Sequence, residues 1–174
     1  MANTPRFISL ILSFVNASGI TTINGLEAWL VSEGFNADVD SLCLEDVARA
    51  AELRDGLTRW IAADGAPPAH ALESLNRAGR MMPLRLAVAE GGSTGFASTG
   101  LSSVDRAIGE VLVALHDAVT AGLWSRLRVC RDPSCGSVFF DQSRNRSGLW
   151  CDMAVCGNRA KARNFRARRR SGRS

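Results

Sequence analysis

Four of the five cysteines stand in two close pairs. Cys130 and Cys135 are separated by four residues, as are Cys151 and Cys156, and fifteen residues lie between the pairs. Two short pairs joined by a medium loop suit a tetrahedral four-thiolate metal site: each pair reaches the ion from one turn, and the loop folds back on itself. Zinc is the ion expected. A bound Zn2+, one per chain, would be structural, because four thiolates close its shell and leave no position for water. The alternatives are two disulfides, four unpaired core thiols, or a mononuclear iron or iron–sulfur site. Disulfides are rare in a reducing compartment, and four core thiols in paired spacing would be a coincidence. Cys43, between Leu42 and Leu44, reads as a core residue.

The sequence around the cysteines is basic. Residues 1–125 carry 8 Arg and 14 Asp or Glu, a net of −6; residues 126–174 carry 13 Arg or Lys and 3 Asp, a net of +10. Such asymmetry points to an anionic partner for the C-terminal part, with nucleic acid, and DNA in particular, the leading candidate. Projected as one helix from Met153 to Arg170, the segment places Arg159, Arg163, Arg166 and Arg170 on one stripe, flanked by Lys161 and Arg168. Arg144 and Arg146, in the loop between the cysteine pairs, add candidate nucleic-acid contacts from the side. Asn158 and Arg159 can equally support the metal knuckle from one turn beyond it. The run from Arg169 to Ser174 reads as a tail that orders only on a partner.

The elements that must position these residues follow from periodicity. Apolar residues recur at helical spacing in 6–17, 24–33 and 44–63, and Pro67-Pro68 opens a further helix reaching about Arg80. Arg54 falls within an apolar stripe, which predicts a half-buried guanidinium paired to a carboxylate. Leu84, Leu86 and Val88 alternate with Arg85 and Ala87, Gly91-Gly92-Ser93 supplies a turn, and Phe96 lies in a returning strand. Ser102 or Ser103 caps a last long helix. Leu127-Arg128-Val129 and Val138-Phe139-Phe140 read as short strands flanking the first cysteine pair. The fold class expected is mainly α (α+β): a helical bundle with a small β-hairpin over residues 1–124, then a four-cysteine module of hairpin and basic helix over 125–174. No stretch reaches the ~18 apolar residues needed to span a bilayer. The apolar run Phe7–Val15 is read as a buried first helix rather than a signal peptide, and the protein as cytoplasmic.

The run Cys151-Asp152-Met153-Ala154-Val155-Cys156-Gly157-Asn158-Arg159 resembles the signature of the CGNR zinc-finger family. Cys130 and Cys135, Phe139-Phe140-Asp141 and Ser143-Arg144-Asn145 are similar to that family as well. In the N-terminal half, Phe14-Val15-Asn16, Trp29-Leu30 and Leu53-Arg54-Asp55 resemble the ABATE domain that precedes this finger. The chain departs from the pattern at Ser13, where Asp is expected nearby, at Ala17, where Thr is expected, and at Gly148-Leu149, where two Arg are expected. The last change removes two positive charges from the expected nucleic-acid face. The resemblance implies a bacterial, stress-linked transcription regulator.

Two functional readings compete: a DNA-binding regulator whose helical domain senses a small molecule or a protein, and an RNA- or protein-binding module in which zinc is only a staple. An enzyme is not expected. His70 and His116 are the only histidines, lie far apart, and accompany no nucleophile motif.

Overall fold

The computed structural model describes residues 4–35 and 42–171. Residues 172–174 of the expected tail lie outside them. Six α-helices and two antiparallel hairpins follow in chain order. Helix α1 (Arg6–Asn16) buries Ile8, Ile11, Phe14 and Val15, the three- and four-residue steps of one helical face. Helix α2 (Ile23–Ser32) is capped by Thr22, whose hydroxyl accepts from the Gly25 N–H. Gly25 is obligatory there: a Cβ would meet the Gly19 carbonyl oxygen at 1.8 Å. The Trp29 ring packs edge-on against Phe14, at 4.9 Å between centroids.

Helix α3 (Leu44–Ala63) packs on α4 (Ala69–Met81), with Gly56 letting Leu75 approach closely. Arg49 of α3 donates to Asp46 and to Asp105 of α5 (Ser103–Thr120), joining the two helices. Strands β1 (Leu84–Val88) and β2 (Thr94–Ser98) form the expected hairpin, in the register Leu86 opposite Phe96. It lies directly on α5, where a Cβ at Gly109 would sit 2.2 Å from the Ser98 hydroxyl. Ser102 is the cap of α5, accepting from the Asp105 N–H.

Two expectations change. Arg54 is half-buried, but its Nε donates to the Val15 carbonyl at 3.0 Å, so the cation satisfies the end of α1 and no carboxylate pairs with it among the described residues. Cys43 is exposed, because it occupies the N-cap of α3, where its backbone N–H donates to Asp46.

Strands β3 (Leu127–Val129) and β4 (Val138–Phe140) make the second hairpin, with Val129 opposite Val138. Leu127 and Val138 belong to the same buried cluster as Phe14, Leu57 and Ala118. Burying each is worth roughly 1.5–3 kcal/mol, more than any cross-strand pair of so short a hairpin supplies. Asn16 fixes the junction: its side-chain amide donates to the Val138 carbonyl and its oxygen accepts the Val138 N–H, both at 2.9 Å. The rings of Trp60 and Trp124, tilted at 44° with 4.6 Å between centroids, tie the end of α3 to the turn entering β3. No described helix is long and apolar enough to cross a membrane.

Candidate metal centre and basic helix

The cysteines come from two turns. Cys130 directly follows β3 and Cys135 closes the turn Asp132-Pro133-Ser134, its N–H bonded to the Asp132 carbonyl at 2.9 Å. Gly136 then takes φ +68°, a conformation open to glycine, and the chain returns as β4. In the second pair Cys151 precedes a π-helical turn, Met153–Gly157, and Cys156 lies within it; α6 (Asn158–Ser171) follows. The sequence alone reads as one α-helix from Met153. Cys151 precedes the turn, Asp152 is extended, and Cys156 lies inside the turn, so the pair is set by the bend at Asp152 rather than by one helical pitch. The Asp152 carboxylate caps that turn through the Ala154 and Val155 N–H groups, and the Asn158 side chain donates to the Ala154 carbonyl at 2.8 Å.

The four sulfurs lie within 4.8 Å of one another. Cys135 to Cys151 is 3.5 Å and Cys151 to Cys156 is 3.7 Å. A tetrahedral zinc with bonds of about 2.3 Å has sulfur–sulfur edges of about 3.8 Å, so this donor set fits the ion. All four are free thiols rather than disulfides. Their environments differ. Hydrogen bonds from the Ser137 hydroxyl and backbone, then from Cys151, pull the Cys135 thiol down to about 6. Burial pushes Cys151 up to about 11, and Cys156 higher still. Four thiolates so close together need a cation to coexist.

Asp132 joins this cluster to the basic helix. It is 1% exposed, and its Oδ1 accepts from the Ser134 N–H, the Ser134 hydroxyl and Arg163, the last at 3.0 Å. Its Oδ2 lies 3.6 Å from Arg159. Burial by itself would raise this carboxyl, but the Ser134 hydrogen bonds and the Arg163 charge outweigh it and hold it below the usual range. Asp141 plays the same part in the intervening loop. It is buried and accepts from the N–H groups of Ser143 and Gly148, at 2.9 and 2.8 Å.

The candidate nucleic-acid residues therefore divide. Arg159 and Arg163 turn toward the knuckle and share Asp132. Arg146, at φ +50°, donates to Ser125, and its carbonyl accepts from Arg128, so it shapes the loop. Lys161, Arg166 and Arg168 are exposed on α6, and Arg144 is exposed in the loop. The Arg169 guanidinium lies over the Phe165 ring, 5.8 Å from its centroid. The side chain of Arg170 lies outside the described residues. No acidic residue occurs in α6, and beyond Ala160 its described residues are all exposed. Sequence reasoning missed Asp132 and Asn16. The sign for Asp132 was an acidic residue inside a cysteine turn of an otherwise basic segment.

A helical domain followed by a four-cysteine, metal-binding basic finger defines the class. Within it, residues 9–122 match the ABATE model, described as "Putative stress-induced transcription regulator", and residues 126–169 match the CGNR zinc finger. The ABATE match covers well over half of the chain, which belongs to that family. Comparison with curated proteins found no match.

Proposed function

We propose that this chain is a zinc-dependent, DNA-binding transcription regulator: residues 125–174 grip the nucleic acid, and residues 1–124 receive the signal, a small molecule or a protein. One structural zinc per chain holds the finger, and no catalysis takes place at it. Cytoplasmic residence in a bacterium and a stress-linked signal belong to the same reading. The observation that carries it is α6, a projecting helix of seven Arg or Lys and no acidic residue, clamped at one end to the cysteine cluster through Asp132. Such a helix repels itself at i, i+4 and is completed by a polyanion. Lys161, Arg166 and Arg168 face outward and are the first candidates for phosphates, with Arg144 at the side and Arg170 at the far end.

The test is binding to duplex DNA, folded RNA and heparin across a salt series. Preference for duplex over heparin, with a slope of about −0.9 per phosphate contacted, supports the reading. Equal binding to all three, or preference for RNA, replaces it with a module for RNA or protein in which zinc is a staple.

A further inference from the structure

The helical half holds a cleft of about 590 Å³ between α1, the end of α2 and α5, and none of its described lining residues belongs to the finger. Among the described residues five charged side chains line it: Arg6, Glu33, Arg106, Glu110 and Asp117. Among the described residues none of the five has an ion-pair partner. Glu33 is held in place from within, accepting from the Ser13 hydroxyl, which in turn accepts the Trp29 indole N–H. Three carboxylates and two guanidinium groups give the lining, among the described residues, a net charge of −1, complementary to a ligand with one carboxylate and two cations.

The spacing on α5 arranges these charges. Arg106 and Glu110 are one turn apart, in the order that pairs less well along a helix, and each is left for a third group. Asp117 stands seven residues beyond Glu110, about 10.5 Å along the axis at 1.5 Å per residue. Between them the wall is apolar, formed by Val113 and Ala114 with Leu10 across from α1. An anion site, a cation site, an apolar run and a second cation site follow one another.

We propose that this cleft binds a basic α-amino acid of the lysine type. Its carboxylate is taken by Arg106, with Arg6 also lining the cleft, and its α-ammonium by Glu110. The aliphatic chain lies over Val113 and Ala114, and the side-chain cation reaches Asp117. The inference adds a ligand class to the signal-receiving role proposed above. It is tested without nucleic acid, so its failure is distinct from failure of the regulator reading.

The experiment is titration calorimetry of the full zinc-loaded chain with four matched probes: lysine, norleucine, cadaverine and 6-aminohexanoate. Each of the last three lacks one of lysine's charged groups. Lysine binds, and each analogue binds about tenfold more weakly or worse, since each leaves a charge-assisted hydrogen bond unmade. Asp117→Asn, at a partly exposed position outside the core, removes lysine's advantage over norleucine but not over cadaverine; circular dichroism checks its fold. The proposal is overturned if lysine does not bind, if any analogue equals it, or if Asp117→Asn leaves the lysine-to-norleucine ratio unchanged.

Discussion

At Gly148 a single hydrogen replaces what would otherwise be a collision. A Cβ there would lie 2.8 Å from the Cγ and Oδ1 of Asp141, the buried carboxylate that gathers the loop between the cysteine pairs. The resemblance to CGNR fingers leads one to expect Arg at this position. In this chain the lost charge coincides with a close approach that lets the Gly148 N–H reach Asp141 at 2.8 Å. Gly148→Ala should therefore destabilise the finger by about 1–3 kcal/mol, the usual cost of overpacking. Urea unfolding of the metal-loaded protein measures it. Gly148→Arg should cost at least as much, and should not strengthen DNA binding despite its charge. If both variants are as stable as the parent, Asp141 has room to move and the close approach is incidental. The contacts of such residues were invisible in sequence because their partners lie outside any local period. Asp132 meets Arg163 across 31 positions, and Asn16 meets Val138 across 122. The cysteine ligands were legible because paired spacing is itself a local pattern.

Among the elements, apolar periodicity gives the long amphipathic helices boundaries close to those observed, and α3 spans Leu44–Ala63 as its period predicts. Helix α6 was read differently from its structure, since a helical wheel drawn from Met153 assumes one uniform pitch. The π-turn before Asn158 and the carboxylate of Asp132 set how the helix leaves the knuckle. The arginine stripe is consequently not uniform. Arg159 and Arg163 share one buried anion, whereas Lys161 and Arg166 have no ion-pair partner among the described residues. Neutralising Lys161 or Arg166 should flatten the salt dependence of DNA binding by about one unit each. Arg159→Ala should change the slope less, because its guanidinium already faces the buried Asp132 carboxylate at 3.6 Å. Asp132→Asn separates the roles: the cobalt-substituted chain should keep its four-sulfur spectrum, while amide exchange over 158–163 accelerates and DNA affinity falls. A fall in affinity for Arg159→Ala and Arg163→Ala with full one-unit slope changes would show that both leave Asp132 for phosphate.

Across the whole molecule, the change of charge near Trp124 and the limits of the core do not coincide. Leu127 and Val138 lie on the basic side by sequence, yet both are buried with the helices, and Asn16 bridges across to Val138. The rest of the finger has little apolar support. Leu149, Met153, Val155 and Phe165 are all exposed, and among the described side chains of α6 only Ala160 is buried. Loops so poorly packed depend on the ion for their fold. Removing zinc with a chelator, or changing Cys151 to Ser, should then unfold the two cysteine turns, the 142–150 loop and α6. Helices α1–α5 and the β3–β4 pairing should persist, because the burial that holds them does not involve sulfur. Hydrogen exchange followed residue by residue distinguishes the outcomes: amides of 127–129 and 138–140 stay protected after chelation, while those of 144–171 exchange freely. The helical circular dichroism signal should fall by no more than the share of α6 and its preceding turn. Loss of protection throughout α1 and α5 on chelation would mean that the cysteine cluster supports the shared core from outside. In that case the finger and the helical domain would fold as a single cooperative unit.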